Sequence, residues 1–128
     1  MIPTMIGLVA AVLAAGPPGG YGDGGGRGEP ESKLTVSYMA DAGFASAVKL
    51  ECGPAGGGHP RAAAACAELT AVGGDLDKIE PAHTACILIY QPVTAEVTGE
   101  WRGTTVQWKH RYGNSCEMRR ALGALVAF

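Results

Sequence analysis

The chain has 128 residues and a formal net charge of −2, with 10 basic and 12 acidic side chains, so it is long enough for one small domain. No cluster of arginine or lysine is longer than Arg119-Arg120, which falls short of the basic patch of a nucleic-acid-binding protein. The sequence therefore predicts a single-domain protein without a nucleic-acid partner.

An export signal is predicted in residues 1–15. Residues 6–15 are apolar and end in small side chains, with Val12 and Ala14 placed as a cleavage site requires. This run is shorter than the roughly 20 residues that span a bilayer, so no membrane partner is expected. Residues 1–5 lack the Lys or Arg that usually precedes the apolar region of a signal peptide, and a buried core helix is the alternative. We expect a secreted, extracellular protein.

Residues 16–32 are predicted to form a flexible arm. The segment is rich in glycine and proline and has too little apolar surface to offset the entropy cost of ordering it. Its glycines do not form a phosphate-binding loop because no Gly-Lys-Ser/Thr follows them. The folded domain is thus predicted to span residues 33–128.

Two strands are predicted at the start of the domain, because apolar and polar residues alternate there with a period of two. The apolar positions are Leu34, Val36 and Tyr38 in the first strand and Val48, Leu50 and Cys52 in the second. Residues 41–43, Asp-Ala-Gly, are typical of a turn between them.

A helix of about a dozen residues is predicted after Pro60, a residue suited to the first position of a helix. Apolar side chains recur at helical spacing in the Ala-rich stretch that follows: Ala62, Ala65, Cys66, Leu69 and Val72. Gly73-Gly74 then provides a C-terminal cap.

A β-hairpin is predicted around Arg102-Gly103, from Val93 to Tyr112. A two-residue turn there pairs Gly99 with Val106, Val97 with Trp108, Ala95 with His110 and Val93 with Tyr112. This register places the apolar residues of both strands on one face, and a shift by one residue would destroy the match.

Four cysteines in a small exported chain predict two disulfides, for which three pairings are possible. Cys86 stands just before the first hairpin strand and Cys116 just after the second, so the open end of the hairpin brings them together. This leaves Cys52 for Cys66. No Cys-x2-Cys pair is present, so zinc is not expected, nor is any other metal or cofactor.

The three histidines do not suggest catalysis, and we do not expect an enzyme. His59 precedes the predicted helix, and His83 stands in a polar connector. His110 is predicted to face the hairpin core beside Ala95 as a structural residue. A Cys-His hydrolase needs a free thiol, and paired cysteines leave none.

The apolar residues 85–92, Ala-Cys-Ile-Leu-Ile-Tyr-Gln-Pro, have no predicted strand partner. If the stretch is extended and exposed, Cys86 tethers its start and Pro92 stiffens its end, which makes it an ordered peptide of the kind an endoprotease binds. The alternative is a buried central strand at residues 86–90, and the pattern alone supports both.

From Leu34 to Phe128 the chain resembles the subtilisin inhibitor-like family of secreted actinobacterial serine-protease inhibitors. Four segments carry the resemblance in order: residues 66–76 (CAELTAVGGDL), residues 90–93 (YQPV), residues 113–118 (GNSCEM) and residues 126–128 (VAF). The four cysteines also match the two disulfides of the family.

The resemblance implies a single α+β domain with an antiparallel sheet of about five strands, two helices and two disulfides. It also implies a homodimer formed through the sheets. The partners that it implies are subtilisin-like and chymotrypsin-like serine endopeptidases, which the protein is expected to inhibit. A secreted binding module without an inhibitory loop, or an inhibitor of another protease class, is the alternative.

In that family the scissile bond lies two residues after the third cysteine, which corresponds here to Leu88-Ile89. Leu88 is then expected to enter the main specificity pocket of the protease. The other loop residues expected to contact the protease are Ala85, Cys86 and Ile87 on the acyl side and Tyr90 on the leaving side. An apolar Leu88 lacks the cation that a trypsin pocket needs, so trypsin inhibition should be weak.

Asn114, the one asparagine of the chain, stands two residues before Cys116, so the predicted disulfide places it near the loop. Its amide is predicted to hydrogen-bond and support the loop backbone, and the alternative is that Gly113-Asn114 only forms a turn. The family commonly has proline where this chain has Ile87, so loop rigidity should depend more on the Cys86 bridge.

Overall fold

A computed structural model of the protein describes residues 28–128, so the predicted signal peptide and most of the predicted arm lie outside the described residues. The strands and helices are β1 (Ser32–Ala40), β2 (Ala45–Cys52), β3 (Gly56–Gly57), α1 (Ala62–Ala71), β4 (Val93–Trp101), β5 (Thr104–Tyr112) and α2 (Ser115–Leu122). Short 3-10 segments follow the two helices at Leu76–Lys78 and Gly123–Val126. β1 begins at Ser32, the last residue of the predicted arm.

The five strands form one antiparallel sheet in the order β3-β2-β1-β4-β5. β1 pairs with β2 on one side, where Val36 lies opposite Val48, and with β4 on the other, where Val36 lies opposite Val97. The sheet and the two helices confirm the predicted α+β fold.

The hairpin of β4 and β5 has the predicted register. Val97 lies opposite Trp108, Ala95 opposite His110, and the turn residues Arg102 and Gly103 connect the strands. Both turn residues have a positive φ, +48° and +86° respectively, as a two-residue type I′ turn requires. The turn therefore sets the register that buries the apolar face of β4.

The core lies between one face of the sheet and the helices. The sheet contributes the predicted alternate positions of its central strands: Leu34, Val36, Tyr38, Leu50, Val93, Ala95 and Val97. Ala65 and Leu69 cover them from α1, and Met118 and Leu122 cover them from α2. The predicted helix is confirmed as α1, with 10 residues, and the amide of Gly74 donates to the carbonyl of Leu69 at its end (2.9 Å).

β5 is an edge strand of the sheet, and its apolar side chains are less buried than predicted. Val106, Trp108 and Tyr112 are only half-buried. His110 lies opposite Ala95 as predicted, but the prediction that it faces the core is wrong, because its side chain is exposed. Its ring stacks on that of Trp108 (6.1 Å between ring centroids) and is tilted by 52° against that of Tyr112 (4.5 Å). The apolar side chains of this edge strand pack against the core only in part, so correct pairing does not guarantee burial.

His59, in contrast, is buried and structural. Its Nδ1 accepts a hydrogen bond from the amide of Arg61, and its Nε2 donates to the carbonyl of Leu125, both at 2.9 Å. His83 is exposed. Within residues 28–128, no helix has the length and apolarity to cross a membrane, and no group of three or more His, Cys, Asp or Glu is placed to hold a metal ion.

Candidate functional site

The segment before β4 is the most exposed apolar part of the described chain. Residues 85–90, here called the tethered loop, belong to no strand or helix. Leu88 is 93% exposed, Ile87 74%, Tyr90 76% and Ile89 50%. Of the two sequence interpretations, the exposed peptide is thus confirmed and the buried central strand is wrong. A contiguous exposed apolar patch of this kind marks a site of interaction.

A disulfide fixes the start of the tethered loop. Cys86 is bonded to Cys116 in the first turn of α2, with their Cα atoms 5.8 Å apart. The second disulfide joins Cys52 at the end of β2 to Cys66 in α1. All four cysteines of the chain are therefore paired as the hairpin register predicts. The loop cannot move away from α2 without breaking a covalent bond.

Asn114 supports the middle of the tethered loop through hydrogen bonds of its side chain. Its side chain is buried, and its Nδ2 donates hydrogen bonds to the carbonyl oxygens of Ile87 (3.2 Å) and Ile89 (2.8 Å). These carbonyls flank Leu88 on either side. One amide group therefore holds the backbone around the most exposed residue of the loop.

The same side chain also caps α2. Oδ1 of Asn114 accepts a hydrogen bond from the amide of Glu117 at 2.9 Å, which is the usual contact of an asparagine at a helix N-terminus. The sequence left two interpretations of Asn114 open, support of the loop or only a turn with Gly113. The structure has the hydrogen bonds between the Asn114 amide and the loop backbone. The capping role was not predicted, although Asn followed three residues later by Glu is a recognised helix start signal.

Leu88 lies at the centre of a tight three-residue turn. The amide of Ile89 donates to the carbonyl of Ile87 at 2.9 Å, as in a γ-turn. This bend directs the Leu88 side chain outward, in agreement with its exposure. The tip of the loop is therefore ordered by backbone as well as by side-chain contacts.

Backbone contacts hold both ends of the segment. On the C-terminal side, the amide of Gln91 donates to the carbonyl of Gly113 at 2.8 Å. On the N-terminal side, Nη1 of Arg120 donates to the carbonyl of Thr84 at 3.2 Å. Sequence reasoning missed Arg120, because nothing in the local pattern of α2 connects it with a residue 36 positions earlier.

The surface of the tethered loop is apolar and has no acidic or basic side chain. The three histidines do not contribute to it: His59 is buried against the C-terminal segment, and His83 and His110 lie exposed outside it. The site consists of a restrained peptide with a projecting Leu88. A restrained, exposed apolar peptide of this kind is suited to bind in the cleft of a partner protein.

The fold and this site define a class of protein: a small disulfide-bonded domain that holds a peptide out from a rigid scaffold. The sequence model of the subtilisin inhibitor-like family matches residues 31–114, and the chain belongs to that family. The match includes the whole tethered loop and ends at Asn114.

Curated relatives and a solved structure agree with this assignment. A putative serine protease inhibitor of Streptomyces avermitilis is 46% identical over 78 residues, which are 61% of this chain and 53% of that protein, so the chain spans about half the length of this relative. A subtilase-type protease inhibitor of Streptomyces fradiae is 38% identical over 94% of this chain and 92% of its own.

Streptomyces caespitosus sermetstatin, solved in complex with Bacillus licheniformis subtilisin, superimposes with a TM-score of 0.66. It is 30% identical in sequence, and the match covers 76% of this chain and 98% of sermetstatin. The two Streptomyces relatives above are named as protease inhibitors, and sermetstatin is a protein bound to a protease.

Proposed function

We propose that this protein inhibits subtilisin-like serine endopeptidases by binding to them as a substrate does, through the tethered loop. One observation carries the proposal: the Nδ2 group of Asn114 holds the carbonyls on both sides of an outward-pointing, 93% exposed Leu88. The relatives named as serine protease and subtilase-type protease inhibitors, and the complex of sermetstatin with subtilisin, support it.

The bond that the protease attacks is Leu88–Ile89 in this proposal. Leu88 enters the main specificity pocket, which must be apolar to accept it. Ala85, Cys86 and Ile87 then lie on the acyl side of the bond, and Tyr90 lies on the leaving side. The exposure of Leu88, Tyr90 and Ile87 agrees with contacts made by all three.

Inhibition follows from what the scaffold does after attack. The protease serine adds to the carbonyl carbon of Leu88, the Leu88–Ile89 bond breaks, and the proton from the serine passes to the nitrogen of Ile89. Because Asn114 holds the carbonyl oxygen of Ile89, the new amine stays beside the acyl-enzyme. The amine attacks the ester again and the peptide bond re-forms, so hydrolysis is slow.

The order of the free loop also explains how a modest contact area gives tight binding. The disulfide at Cys86 and the two Asn114 hydrogen bonds already restrict the loop, so little conformational entropy is lost on binding. Protease–inhibitor interfaces bury only about 1,600 Å² and still reach high affinity.

A change of specificity tests the proposal. The oxidised protein should titrate subtilisin stoichiometrically and inhibit trypsin weakly. Leu88→Lys places a cation at the specificity position and should give strong trypsin inhibition, since the trypsin pocket ends in a carboxylate. The matched control is Ile87→Lys, which places the same cation on a neighbouring exposed side chain and should not give it.

Absence of subtilisin inhibition by correctly disulfide-bonded protein would contradict the proposal and favour a binding module on the same scaffold. Equal trypsin inhibition by Leu88→Lys and Ile87→Lys would contradict the assignment of the bond.

We also propose that the protein is exported, with residues 1–15 removed and the inhibitor domain at residues 33–128. The apolar run at residues 6–15 supports this, as do two disulfides, which form in oxidising compartments. The intact mass of the extracellular protein tests it: loss of at least the first 15 residues supports export with cleavage, and a retained Met1 contradicts it.

Finally, we propose that two copies pair through the sheet face opposite the helices, as the resemblance implies. This face offers an open hollow of about 610 Å³ beside Met39, whose side chain is 61% exposed. Sedimentation equilibrium should show a dimer that Met39→Glu dissociates and the loop variant Leu88→Lys leaves intact. A monomeric parent protein at micromolar concentration would contradict the pairing.

A further inference from the structure

An apolar cleft of about 410 Å³ lies beside the leaving side of the tethered loop, and we call it the leaving-side cleft. Tyr90 of the loop and Phe44 of the β1–β2 turn both line it, and their side chains are 76% and 58% exposed. The other lining residues are Ala40, Ala42, Gln91, Pro92, Val93 and Ser115. None of these lining residues in the described part of the chain carries a charge, so the cleft is suited to an apolar group.

The β1–β2 turn that carries Phe44 is held in place by hydrogen bonds. The amide of Ala40 donates to the carbonyl of Phe44 at 2.8 Å, and the amide of Asp41 donates to the carbonyl of Pro92 at 3.0 Å. Nη2 of Arg111 in β5 donates to Oδ2 of Asp41 at 2.6 Å. The turn is therefore joined to the chain just after the loop, and the cleft is already formed in the free protein.

The leaving-side cleft begins close to the proposed reactive bond. Tyr90 is the second residue after Leu88, so at most about 7 Å of backbone separates their Cα atoms. Even a small protein domain is about 30 Å across. A protease that holds Leu88 in its specificity pocket therefore also lies over the cleft.

The tethered loop alone is too small to form the whole interface. Protease–inhibitor interfaces bury about 800 Å² and involve about 20–30 residues on each partner, many more than residues 85–90 supply. On the acyl side, the neighbouring hollow of about 580 Å³ is lined by charged side chains of Glu80, Glu117 and Arg120. The leaving-side cleft is thus the apolar surface that continues the loop.

We propose that the protease bound by the tethered loop also occupies the leaving-side cleft, by inserting an apolar side chain of its own surface between Phe44 and Tyr90. This rests on the proposed inhibitory function and adds to it a contact outside the loop. Phe44 is then a residue that helps to determine which proteases bind tightly. A protease with a charged side chain at this place would have to bury the charge without a partner, which disfavours its binding.

The first test compares the two phenylalanines of the chain, which both pack on the ring of Tyr38. The ring centroid of Phe44 lies 6.3 Å from that of Tyr38, and the centroid of Phe128 lies 5.1 Å from it. Phe44→Ala should weaken subtilisin inhibition about 5- to 50-fold, as loss of an aromatic contact at an interface does. Phe128→Ala removes a ring outside the cleft and should leave inhibition unchanged at temperatures where the variant is folded.

The second test places a charge in the cleft without removing a side chain that packs on the core. Ala42 is exposed in the β1–β2 turn, where aspartate is readily accommodated. Ala42→Asp should weaken subtilisin inhibition by a similar factor, because the carboxylate would be buried against an apolar group. The control Ala55→Asp adds the same charge to an exposed alanine after the far end of β2 and should have no effect.

Amide hydrogen exchange separates a direct contact from an effect on the order of the loop. The amide of Gln91 donates to the carbonyl of Gly113, so its exchange rate reports opening on the leaving side. This rate should be the same in free Phe44→Ala as in the free parent protein. In the complex with subtilisin, the amides of residues 41–45 of the parent protein should exchange more slowly than in the free protein.

Several results would overturn the inference while the proposed function stands. These are equal inhibition by Phe44→Ala and Phe128→Ala, equal inhibition by Ala42→Asp and Ala55→Asp, and unchanged exchange of residues 41–45 in the complex. Faster exchange of Gln91 in free Phe44→Ala would make Phe44 a support of the loop. A shift in the sedimentation of free Phe44→Ala would make a second copy of the chain the occupant. If the parent protein itself fails to inhibit subtilisin, the proposed function fails and this inference fails with it.

Discussion

The Asn114 side chain makes two kinds of contact, and substitutions by serine and alanine separate them. Its Oδ1 caps α2 through the amide of Glu117, and its Nδ2 supports the loop through Ile87 and Ile89. Serine is as good a helix cap as asparagine, but it is too short to reach the loop carbonyls. Asn114→Ser therefore removes loop support alone, whereas Asn114→Ala removes both contacts.

The expected magnitudes follow from the contacts. Loss of a helix cap costs about 1 kcal/mol of unfolding free energy, which lowers the melting temperature of a domain of this size by about 4–8 °C. Loss of two hydrogen bonds costs about 1–3 kcal/mol, because each contributes about 0.5–1.5 kcal/mol. If this loss appears fully in binding, the inhibition constant rises about 5- to 150-fold.

Thermal unfolding and inhibition of subtilisin measure the two effects separately. Asn114→Ser keeps the cap, so it should melt about 4–8 °C higher than Asn114→Ala, because both variants lose the loop contacts and only the alanine variant also loses the cap. Both variants should inhibit subtilisin more weakly by a similar factor and should be cleaved faster at Leu88–Ile89. The cleavage rate is followed by mass spectrometry under non-reducing conditions.

Two results would refute this reasoning. If Asn114→Ser inhibits and resists cleavage like the parent protein, the amide contacts do not support the loop. If the two variants melt at the same temperature, Oδ1 of Asn114 does not stabilise α2.

Two further predictions concern stability. Gly99 has φ of +134°, and an added Cβ would collide with the backbone of β1 at Lys33, so Gly99→Ala should destabilise the fold by about 2–3 kcal/mol in denaturant unfolding. Burial, with a smaller contribution from the charge of Asp77, raises the pKa of Tyr112 from 10.0 to about 12. Because the folded state favours the neutral ring, this stabilisation is complete below pH 10 and is lost as the pH rises from 10 to about 12.

Matched variants control both predictions. Gly58→Ala adds the same methyl group where nothing lies within 4 Å, and it should leave stability nearly unchanged. Equal effects of Gly58→Ala and Gly99→Ala would contradict the steric account. Tyr112→Phe should lose less stability between pH 10 and 12 than the parent protein does, and parallel pH profiles of the two proteins would contradict the assigned pKa.

Local sequence was sufficient to predict the parts of the fold that depend on neighbouring residues. The alternation at Leu34, Val36 and Tyr38 defines β1, and the glycine at position 103 permits the tight turn that sets the β4–β5 register. That register in turn predicts the pairing of Cys86 with Cys116. Each of these steps needs only the period of a strand and the geometry of a turn.

Features that depend on distant residues were not predictable in this way. His110 pairs with Ala95 as predicted. Its exposure was not predictable, because it depends on how far the helices cover the edge strand. The contact of Arg111 with Asp41 joins segments 70 residues apart, and no pattern in either segment indicates the other. The sequence pattern also left the tethered loop undecided between a buried strand and an exposed peptide, because both are short apolar runs.

The location of the reactive bond is the central claim, and the mass of the subtilisin-treated protein tests it most directly. Cleavage at Leu88–Ile89 leaves the two parts joined by the Cys86–Cys116 disulfide, so the mass should rise by one water molecule. Reduction should then release a fragment that begins at Ile89 and ends at Phe128. The cleaved protein should form slowly, while subtilisin remains inhibited. Rapid cleavage without inhibition, or a new terminus at any other residue, would contradict the account.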